Sequence, residues 1–491
     1  MNTSNSQSPA DKSQSWEQVR AAFQKIWGYK DFRPPQGEIV RSVLARRDAL
    51  IVLPTGGGKS ICFQLPALLQ TGLTLVVSPL VALMENQVQE LRQRDLPAAL
   101  LHSELSRSER KQTLQAMEQQ QLRLLYLSPE TLLSPPVWQR LRQPTVQVNG
   151  LILDEAHCLV QWGETFRPAY RRLGAVRPAL LETKPIGTKI AIAAFTATAD
   201  PQAQKTIRQV LQLHQPQIFR LSPYRPNLNL RIQRVCTPRS RRQGLLRFIR
   251  GYSQQAGLVY VRSRNDSEAL SEWFHQKGFC TAAYHAGLSP EERRAIETDW
   301  LNNTIQFAVC TSAFGMGINK PDVRWVGHFH APLLLSEYVQ EIGRAGRDGD
   351  AAEALLMASE PTGWLDPADR QRQQFFEEKL RSQQRTAQQL ACKLPRQGDI
   401  ETVSRQFRDG AIALALLHSS GQLRWKDPFH YQIQTVPTRQ QPFARTHAAK
   451  PMYEFIHTSQ CRWEFLLHRF GFRPQSGTFR CGHCDNCLRA R

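Results

Sequence analysis

The chain has 491 residues, 41% hydrophobic and 21% charged, a composition that suits about three globular domains and excludes a largely disordered polymer. Its longest apolar runs, such as Thr74–Val77, are far too short to cross a bilayer, and the Ser/Asn/Gln-rich stretch 1–15 lacks the apolar core of a secretory signal. The 63 Lys and Arg residues against 42 Asp and Glu leave a net charge of +21, which points to a polyanionic partner, with nucleic acid foremost.

Residues 1–15 read as a disordered tail. From residue 16 to 205, short apolar β-rich runs alternate with amphipathic stretches: Ala49–Leu53, Leu73–Val77, Leu122–Tyr126, Leu151–Leu153 and Ile190–Ala194. Runs of this kind predict a parallel sheet buried on both faces, with crossover helices. Leu221–Asn229, rich in Pro, Arg and Asn, reads as a linker. A second α/β unit, residues 206–352, follows, with strands Gly257–Val261, Thr281–Tyr284, Phe307–Cys310 and Trp325–Phe329. The strand pattern then stops near Asp350, and Asp366–Leu390 is polar and helix-prone, making 353–392 the helical part of a C-terminal module. In the insert 393–450 the pattern predicts helices Ile400–Arg408 and Ala411–His418, then strands Leu423–Trp425 and His430–Gln434. That order suits a small winged helix, and equally an α/β elaboration that only packs. In the first case Arg424, Lys426 and Phe429 of the hairpin would meet a duplex–single-strand junction, with an aromatic tip among Trp425, Phe429 and Tyr431. Residues 451–491 carry a cysteine cluster.

Two segments carry chemistry. Thr55-Gly56-Gly57-Gly58-Lys59-Ser60 follows a strand and opens a helix. Such a loop turns backbone N–H groups toward phosphate oxygens at a helix N-terminus; Lys59 would reach the β/γ-phosphates and the Ser60 hydroxyl would ligate Mg²⁺. The strict pattern has Gly where this chain has Leu53. Further on, an apolar run ends in Asp154-Glu155-Ala156-His157, which places two carboxylates at the C-terminal edge of the same sheet. Asp154 would hold Mg²⁺ and Glu155 would orient or deprotonate the attacking water. Together the two segments read as a nucleoside triphosphatase.

Asp-Glu-Ala-His with this phosphate loop resembles the superfamily 2 helicases, and the other motifs resemble the RecQ DNA helicases. Trp27-Gly-Tyr29-Lys-Asp-Phe-Arg33-Pro-Pro-Gln36 is similar to the family's adenine-recognition motif, which implies Tyr29 stacking on the base and Arg33 and Gln36 hydrogen-bonding it. Ser78-Pro-Leu, Ser128-Pro-Glu130 and Thr196-Ala-Thr198 resemble motifs Ia, Ib and III, and His285-Ala-Gly287 and Thr311–Lys320 fit motifs of the second unit. Gln340-Glu-Ile-Gly343-Arg344-Ala-Gly346-Arg347 resembles the arginine-finger motif, with Arg347 the finger and Arg344 its neighbour. Cys158–Tyr170 resembles the aromatic-rich loop, which implies Trp162 and Phe166 stacking on unpaired bases and Arg167 on phosphate. The resemblance implies an α/β fold of two tandem RecA-like parallel-sheet motor domains, followed by a helical, zinc-binding module. It is read here as a short form that ends at the zinc module, without a downstream winged helix.

Cys481-Gly-His-Cys484-Asp-Asn-Cys487 needs a fourth ligand to close a tetrahedron, and Cys461 is the nearest upstream cysteine. A Cys₄ zinc site follows from the RecQ likeness, with His483 and His468 as alternative ligands and an iron–sulfur cluster as the rival. The expected activity is an ATP-dependent, 3′→5′ DNA helicase acting in recombination or repair. It would use ATP, Mg²⁺ and Zn²⁺ on single-stranded DNA and duplex/single-strand junctions, in a reducing cytoplasm at the nucleoid, with single-strand-binding or recombination proteins as companions. Two competing readings are an ATP-switched nucleic-acid clamp and an RNA helicase.

Overall fold

The computed structural model describes residues 15–102, 104–160, 167–252, 254–314, 318–434, 449–472 and 479–489. A seven-stranded sheet comes first: β1 (Ala49–Val52), β2 (Leu73–Val77), β3 (Ala98–Leu101), β4 (Leu124–Leu127), β5 (Val148–Leu153), β6 (Ala191–Thr196) and β7 (Gln217–Arg220), in the order β3-β4-β2-β5-β6-β1-β7. Every pairing is parallel. Neighbouring residues of one strand enter opposite cores: Leu50, Leu75, Leu125 and Leu151 lie on one face, and Ile51, Val76, Tyr126 and Ile152 on the other. A strand alternates its side chains across the sheet, so burial on both faces requires an unbroken apolar run. Because β1, β6 and β5 are adjacent and parallel, the segments leaving their ends emerge side by side at one edge of the sheet.

The second sheet holds β8 (Leu228–Val235), β9 (Gly257–Tyr260), β10 (Thr281–Tyr284), β11 (Phe307–Cys310), β12 (Trp325–His328) and β13 (Ala352–Ser359), in the order β10-β11-β9-β12-β13-β8, again all parallel. Four strands depart from the sequence expectation. At the sheet edge, β7 and β8 are half-exposed and carry arginines, so they do not read as apolar runs. Both β3 (Ala-Ala-Leu-Leu) and β13 are built largely from helix-forming residues, and sheet pairing overrides that preference. The Leu221–Asn229 linker therefore ends inside β8. The expected division after 205 falls within the helix Pro201–Val210, after which β7 still pairs with β1, and the division after 352 falls at the first residue of β13.

The helix Ala368–Ala391 is 24 residues long, about 36 Å at 1.5 Å per residue. Its N-terminal end is fixed to the second domain: Arg241, 1% exposed, pairs with Asp366 at 2.7 Å and Asp369 at 3.2 Å, and Arg372 donates to the Ala331 carbonyl at 3.0 Å. The far end joins the insert. There β14 (Gln397–Asp399), β15 (Leu423–Trp425) and β16 (His430–Ile433) form an antiparallel sheet ordered β14-β16-β15, around the helices Ile400–Gln406 and Gly410–Ser419. Helix, strand, two helices and two strands with the last strand central is the winged-helix arrangement.

The faces that a winged helix would use for binding are covered in this module. The helix Gly410–Ser419, which stands where such a module reads a groove, buries Leu414, Ala415 and Leu417 and packs against the segment Pro168–Ala175 of the first domain, where Ala175 joins its core. The hairpin is docked as well. Phe429 packs against Trp138 with ring centroids 5.5 Å apart, and Arg172 donates to the Pro428 carbonyl at 3.2 Å. Trp425 and Tyr431 are buried inside the module. The expectation of an aromatic tip capping a base pair is therefore corrected: all three rings are engaged in packing, and only Arg424 and Lys426 of that set are exposed.

The last segments cover the edge strand β8. Trp463 Nε1 donates to the Leu228 carbonyl at 3.1 Å, and the Ile232 amide donates to Asp485 Oδ2 at 3.2 Å, which blunts an otherwise open edge. No helix among the described residues is long and apolar enough to cross a membrane.

Phe429→Ala should weaken the docking of the insert by about 1–3 kcal/mol, the value of burying a large apolar side chain. Trypsin should then cut faster at the exposed Arg424 and Lys426. Unchanged cleavage would mean that the helix Gly410–Ser419 holds the insert alone.

Candidate active site and metal centre

The phosphate loop leaves β1 and opens the helix Lys59–Leu69. Gly58, the cap residue, has φ +68°, and a side chain there would collide with Gln36 Nε2. Gln36 is buried; its Nε2 donates to the Gly57 carbonyl at 3.1 Å and its Oε1 accepts from the Arg33 amide at 3.0 Å. Gln36, expected from the resemblance to hydrogen-bond the base, also braces the loop with its amide. Tyr29 (52% exposed) and Arg33 are open to a ligand. Lys59 Nζ lies in the bowl of the loop, donating to the carbonyls of Leu53 at 3.3 Å and Pro54 at 3.5 Å. Thr55, Gly56, Gly57 and Ser60 complete the loop beside it.

Asp154 and Glu155 follow β5 and are both buried. Burial, then the neighbouring Glu155, push the Asp154 carboxyl up, against the pull of Lys59. Asp154 accepts from the Glu155 amide at 3.0 Å and from Gln87 Nε2 at 3.4 Å, with no ion pair to a described residue. A buried acid with a free charge and no cation of its own is the donor that suits Mg²⁺, and Ser60 stands on the facing loop. Burial also works against a charge on Glu155, but His157, Lys59 and Arg344 outweigh it and hold the carboxyl well below its ordinary range. Glu155 sits at φ 51°, ψ 48°, a left-handed conformation that costs a non-glycine residue about 1–3 kcal/mol and clusters at working sites. His157 Nδ1 lies 3.1 Å from Glu155 Oε2 and 3.1 Å from Thr196 Oγ1, and the Thr198 amide donates to Thr196 Oγ1 at 3.2 Å. This chain links the ends of β5 and β6.

The second domain closes the site from across the cleft. Thr55 Oγ1 donates to the Gly343 carbonyl at 2.8 Å, and a Cβ on Gly343 would collide with that hydroxyl. Arg347 lays its methylene stem over Gly56, while its guanidinium donates to Ile318 O at 3.0 Å and Asn319 Oδ1 at 3.1 Å. Arg344 is buried, and its charge acts on Glu155. Both arginines thus line the cleft, Arg347 against the loop and Arg344 toward the carboxylates.

Gln87 is a residue that the motif reading missed. It joins Gln64 and Tyr126 in a buried polar chain ending on Asp154: Gln64 donates to the Tyr126 hydroxyl at 2.9 Å and to Gln87 at 3.5 Å. Its signal was a polar residue in the stripe Met84, Gln87, Val88, Leu91, otherwise apolar at helical spacing. Trp162 and Phe166 lie outside the described residues. Arg167 is described and donates to Glu130 of Ser128-Pro-Glu130 at 3.5 Å.

At the C-terminus the sulfurs of Cys461, Cys481, Cys484 and Cys487 lie within 4.8 Å of one another, with two pairs 3.9 Å apart. Tetrahedral sulfurs about 2.3 Å from a zinc ion would be roughly 3.8 Å apart, so the cradle fits a single ion. Backbone amides of Arg462, Cys481 and Cys484 donate to cysteine sulfurs at 3.3–3.4 Å, which suits thiolates. The alternative ligands are turned away: His483 contacts Asn229 at 2.9 Å and Tyr224 at 3.4 Å, and His468 is exposed.

Three family models match the chain: DEAD/DEAH box helicase over residues 33–207, helicase conserved C-terminal domain over 241–349, and RecQ zinc-binding over 429–488. An ATP-dependent DNA helicase RecQ of Synechocystis sp. is 53% identical over 476 residues, which span 97% of this chain and 99% of that protein. The ATP-dependent DNA helicase RecQ of Haemophilus influenzae is 37% identical over 95% of this chain and 63% of its own length. Among solved structures, Mycobacterium smegmatis helicase Lhr bound to ssDNA and AMP-PNP aligns over 88% of this chain and 61% of its own, with a TM-score of 0.55 at 18% identity. DEAD-box helicase Mss116 bound to ssRNA and UDP-BeF aligns over 70% of this chain and 73% of its own, with a TM-score of 0.57 at 16% identity. Both structural likenesses concern the two-sheet fold.

Gly343→Ala should force the two domains apart at Thr55 and lower DNA-stimulated ATP hydrolysis by about tenfold or more, the scale of a misplaced reacting group, while a fluorescent ATP analogue still binds. Hydrolysis at the parent rate would show that the contact is dispensable. Metal analysis should find one zinc per chain, and Cys484→Ser should lose it together with resistance to proteolysis after residue 449. Iron with visible absorbance would contradict the single-ion cradle.

Proposed function

The chain belongs to the RecQ family of ATP-dependent DNA helicases, and from that premise we propose how its residues divide the reaction. Tyr29 and Arg33 hold the adenine, with Gln36 bracing the loop. The amides of Thr55 to Ser60 and the Lys59 ammonium hold the phosphates, and Ser60 and Asp154 hold Mg²⁺, which neutralises phosphate charge when bound. Glu155 takes a proton from the water whose oxygen bonds the γ-phosphorus, as the bond to the ADP oxygen breaks. Arg344 and Arg347 face the charge that builds up on the transferred group. The motor domains are taken to divide between Arg220 and Leu228, with the second ending at Ser359.

The observation that carries this reading is Glu155. It is buried, yet its charge is upheld by His157 and Lys59 of its own domain and by Arg344 of the other. Those cations keep Glu155 ionised, so that it can orient the attacking water, and the Arg344 part of that field is present only when the cleft is closed. Closure on ATP and opening after hydrolysis would then ratchet the domains along a single strand. The path from His157 through Thr196 to Thr198, and the tie of Arg167 to Glu130, support communication with the aromatic-rich loop, where Trp162, Phe166 and Arg167 contact the strand. We assign 3′→5′ movement and a role in recombination or repair at the nucleoid, with duplex/single-strand junctions as substrates and single-strand-binding or recombination proteins nearby. Zinc on the four cysteines is structural.

Glu155→Gln should bind ATP yet lower hydrolysis by about 10²–10⁴-fold, the range that a general base contributes. The parent enzyme should separate duplexes bearing a 3′ single-stranded tail and leave those with a 5′ tail intact. Normal hydrolysis in the variant would move the base elsewhere, and unwinding from the 5′ tail would reverse the assigned polarity.

A further inference from the structure

The helix Pro238–Arg250 covers one face of the second sheet and buries Leu245, Phe248 and Ile249 against it. Its solvent side carries Arg239, Arg242, Arg247 and Arg250, all exposed. At 100° and 1.5 Å per residue the four fall within an arc of about 140° and form a row about 17 Å long. None of them makes an ion pair or a side-chain hydrogen bond among the described residues. Arg241 of the same helix is the contrast, buried and paired with Asp366 and Asp369. On the adjacent edge strand β8, Arg231 lies over the Phe248 ring and pairs with Glu353, and Arg234 is exposed. Like charges along one helix face repel, so an unpaired row of four is destabilising unless a polyanion meets it.

Topology places the row. All strands of this sheet run parallel, so the helix begins at the same edge as the segment that follows β11 and contributes Ile318 and Asn319 to the cleft. The row starts at the working edge of the motor and runs away from it. The helix has no exposed aromatic side chain on which an unpaired base could stack, as single-strand sites require. A straight row of guanidinium groups suits phosphates, which carry a charge every 1.7 Å or so along a duplex axis. The insert is poorly placed for this task, because its groove-reading helix is buried and its hairpin is docked. We propose that the arginine row of Pro238–Arg250 binds the phosphate backbone of the duplex on which the motor works. The inference rests on the helicase activity and adds a second, sequence-independent DNA surface to it.

The test uses the full-length protein with Arg239, Arg242, Arg247 and Arg250 all changed to Gln, and a second variant with all four changed to Lys. Binding is measured to a blunt duplex of about twenty base pairs across a salt series, and at low salt the Gln variant should lose tenfold or more in affinity. Its log K against log salt slope should flatten by up to about 3.6 units, 0.9 for each of four lost phosphate contacts. The Lys variant should keep most of the affinity, since charge is what acts. ATP hydrolysis stimulated by single-stranded DNA, read on the same preparations, should stay within about twofold of the parent; it reports on the motor separately from the row. Unchanged duplex affinity and slope in the Gln variant would overturn the proposal. So would a Lys variant as weak as the Gln variant, or an equal loss of single-strand affinity.

Discussion

Everything in this molecule depends on one electrostatic arrangement: two buried carboxylates, adjacent in sequence, that the fold pushes in opposite directions. Asp154 is raised by burial and by its neighbour, and Glu155 is held down by cations. Two acids this close are tolerated because cations surround them, Lys59 and His157 from the first domain and Arg344 from the second. That requirement explains why the chain needs two domains for one reaction. The first supplies the loop, the acids and Lys59; the second brings Arg344 and Arg347 and fixes its distance through Thr55 and Gly343. A single domain could bind ATP but would leave Glu155 without its third cation.

The accessory parts read as devices that preserve this geometry. The 24-residue helix begins on the second domain at Arg241 and ends in a module docked on the first, at Trp138 and Pro168–Ala175. It therefore spans the two halves outside the cleft. Between them lies a cavity of about 910 Å³, lined by His157, Thr198, Leu335, Phe376, Leu416 and Phe470, where every module of the chain meets. The segment Pro168–Ala175 follows the Asp154–His157 segment in sequence and receives the insert. The cysteine module does a different job, closing the open edge of β8 through Trp463 and Asp485.

Much of the catalytic centre was legible because its chemistry is written locally. A glycine-rich loop after a strand and two acids after another strand need no tertiary knowledge to be read, and the three bunched cysteines call for a fourth ligand, which the RecQ likeness placed at Cys461. The nine runs identified as strands of the two parallel sheets coincide with strands to within a few residues, because burial within a sheet favours an apolar run. What stayed hidden depends on long-range partners. Strand β13 is made of helix formers and is held by β12 and β8, and β8 alternates polar residues that only an edge position allows. The resemblance gave Gln36 a place at the base, and only its distance to Gly57 reveals that it also braces the loop. Phe429 looked like a free aromatic tip, and only the position of Trp138 shows it to be an anchor.

The central claim is that hydrolysis is completed by a charge from the second domain acting at Glu155. The direct measurement is the single-turnover rate of ATP cleavage, with single-stranded DNA present, in Arg344→Lys compared with the parent protein. Lysine keeps the charge but loses the rigid fork and the reach of the guanidinium. The account predicts a rate lower by about 10²-fold or more, short of the roughly 10³–10⁵ that a whole arginine contributes to a phosphoryl transfer because lysine keeps the charge, with ATP affinity changed by less than that factor. A single-turnover rate equal to the parent's would contradict it and would leave the first domain alone responsible for the chemistry.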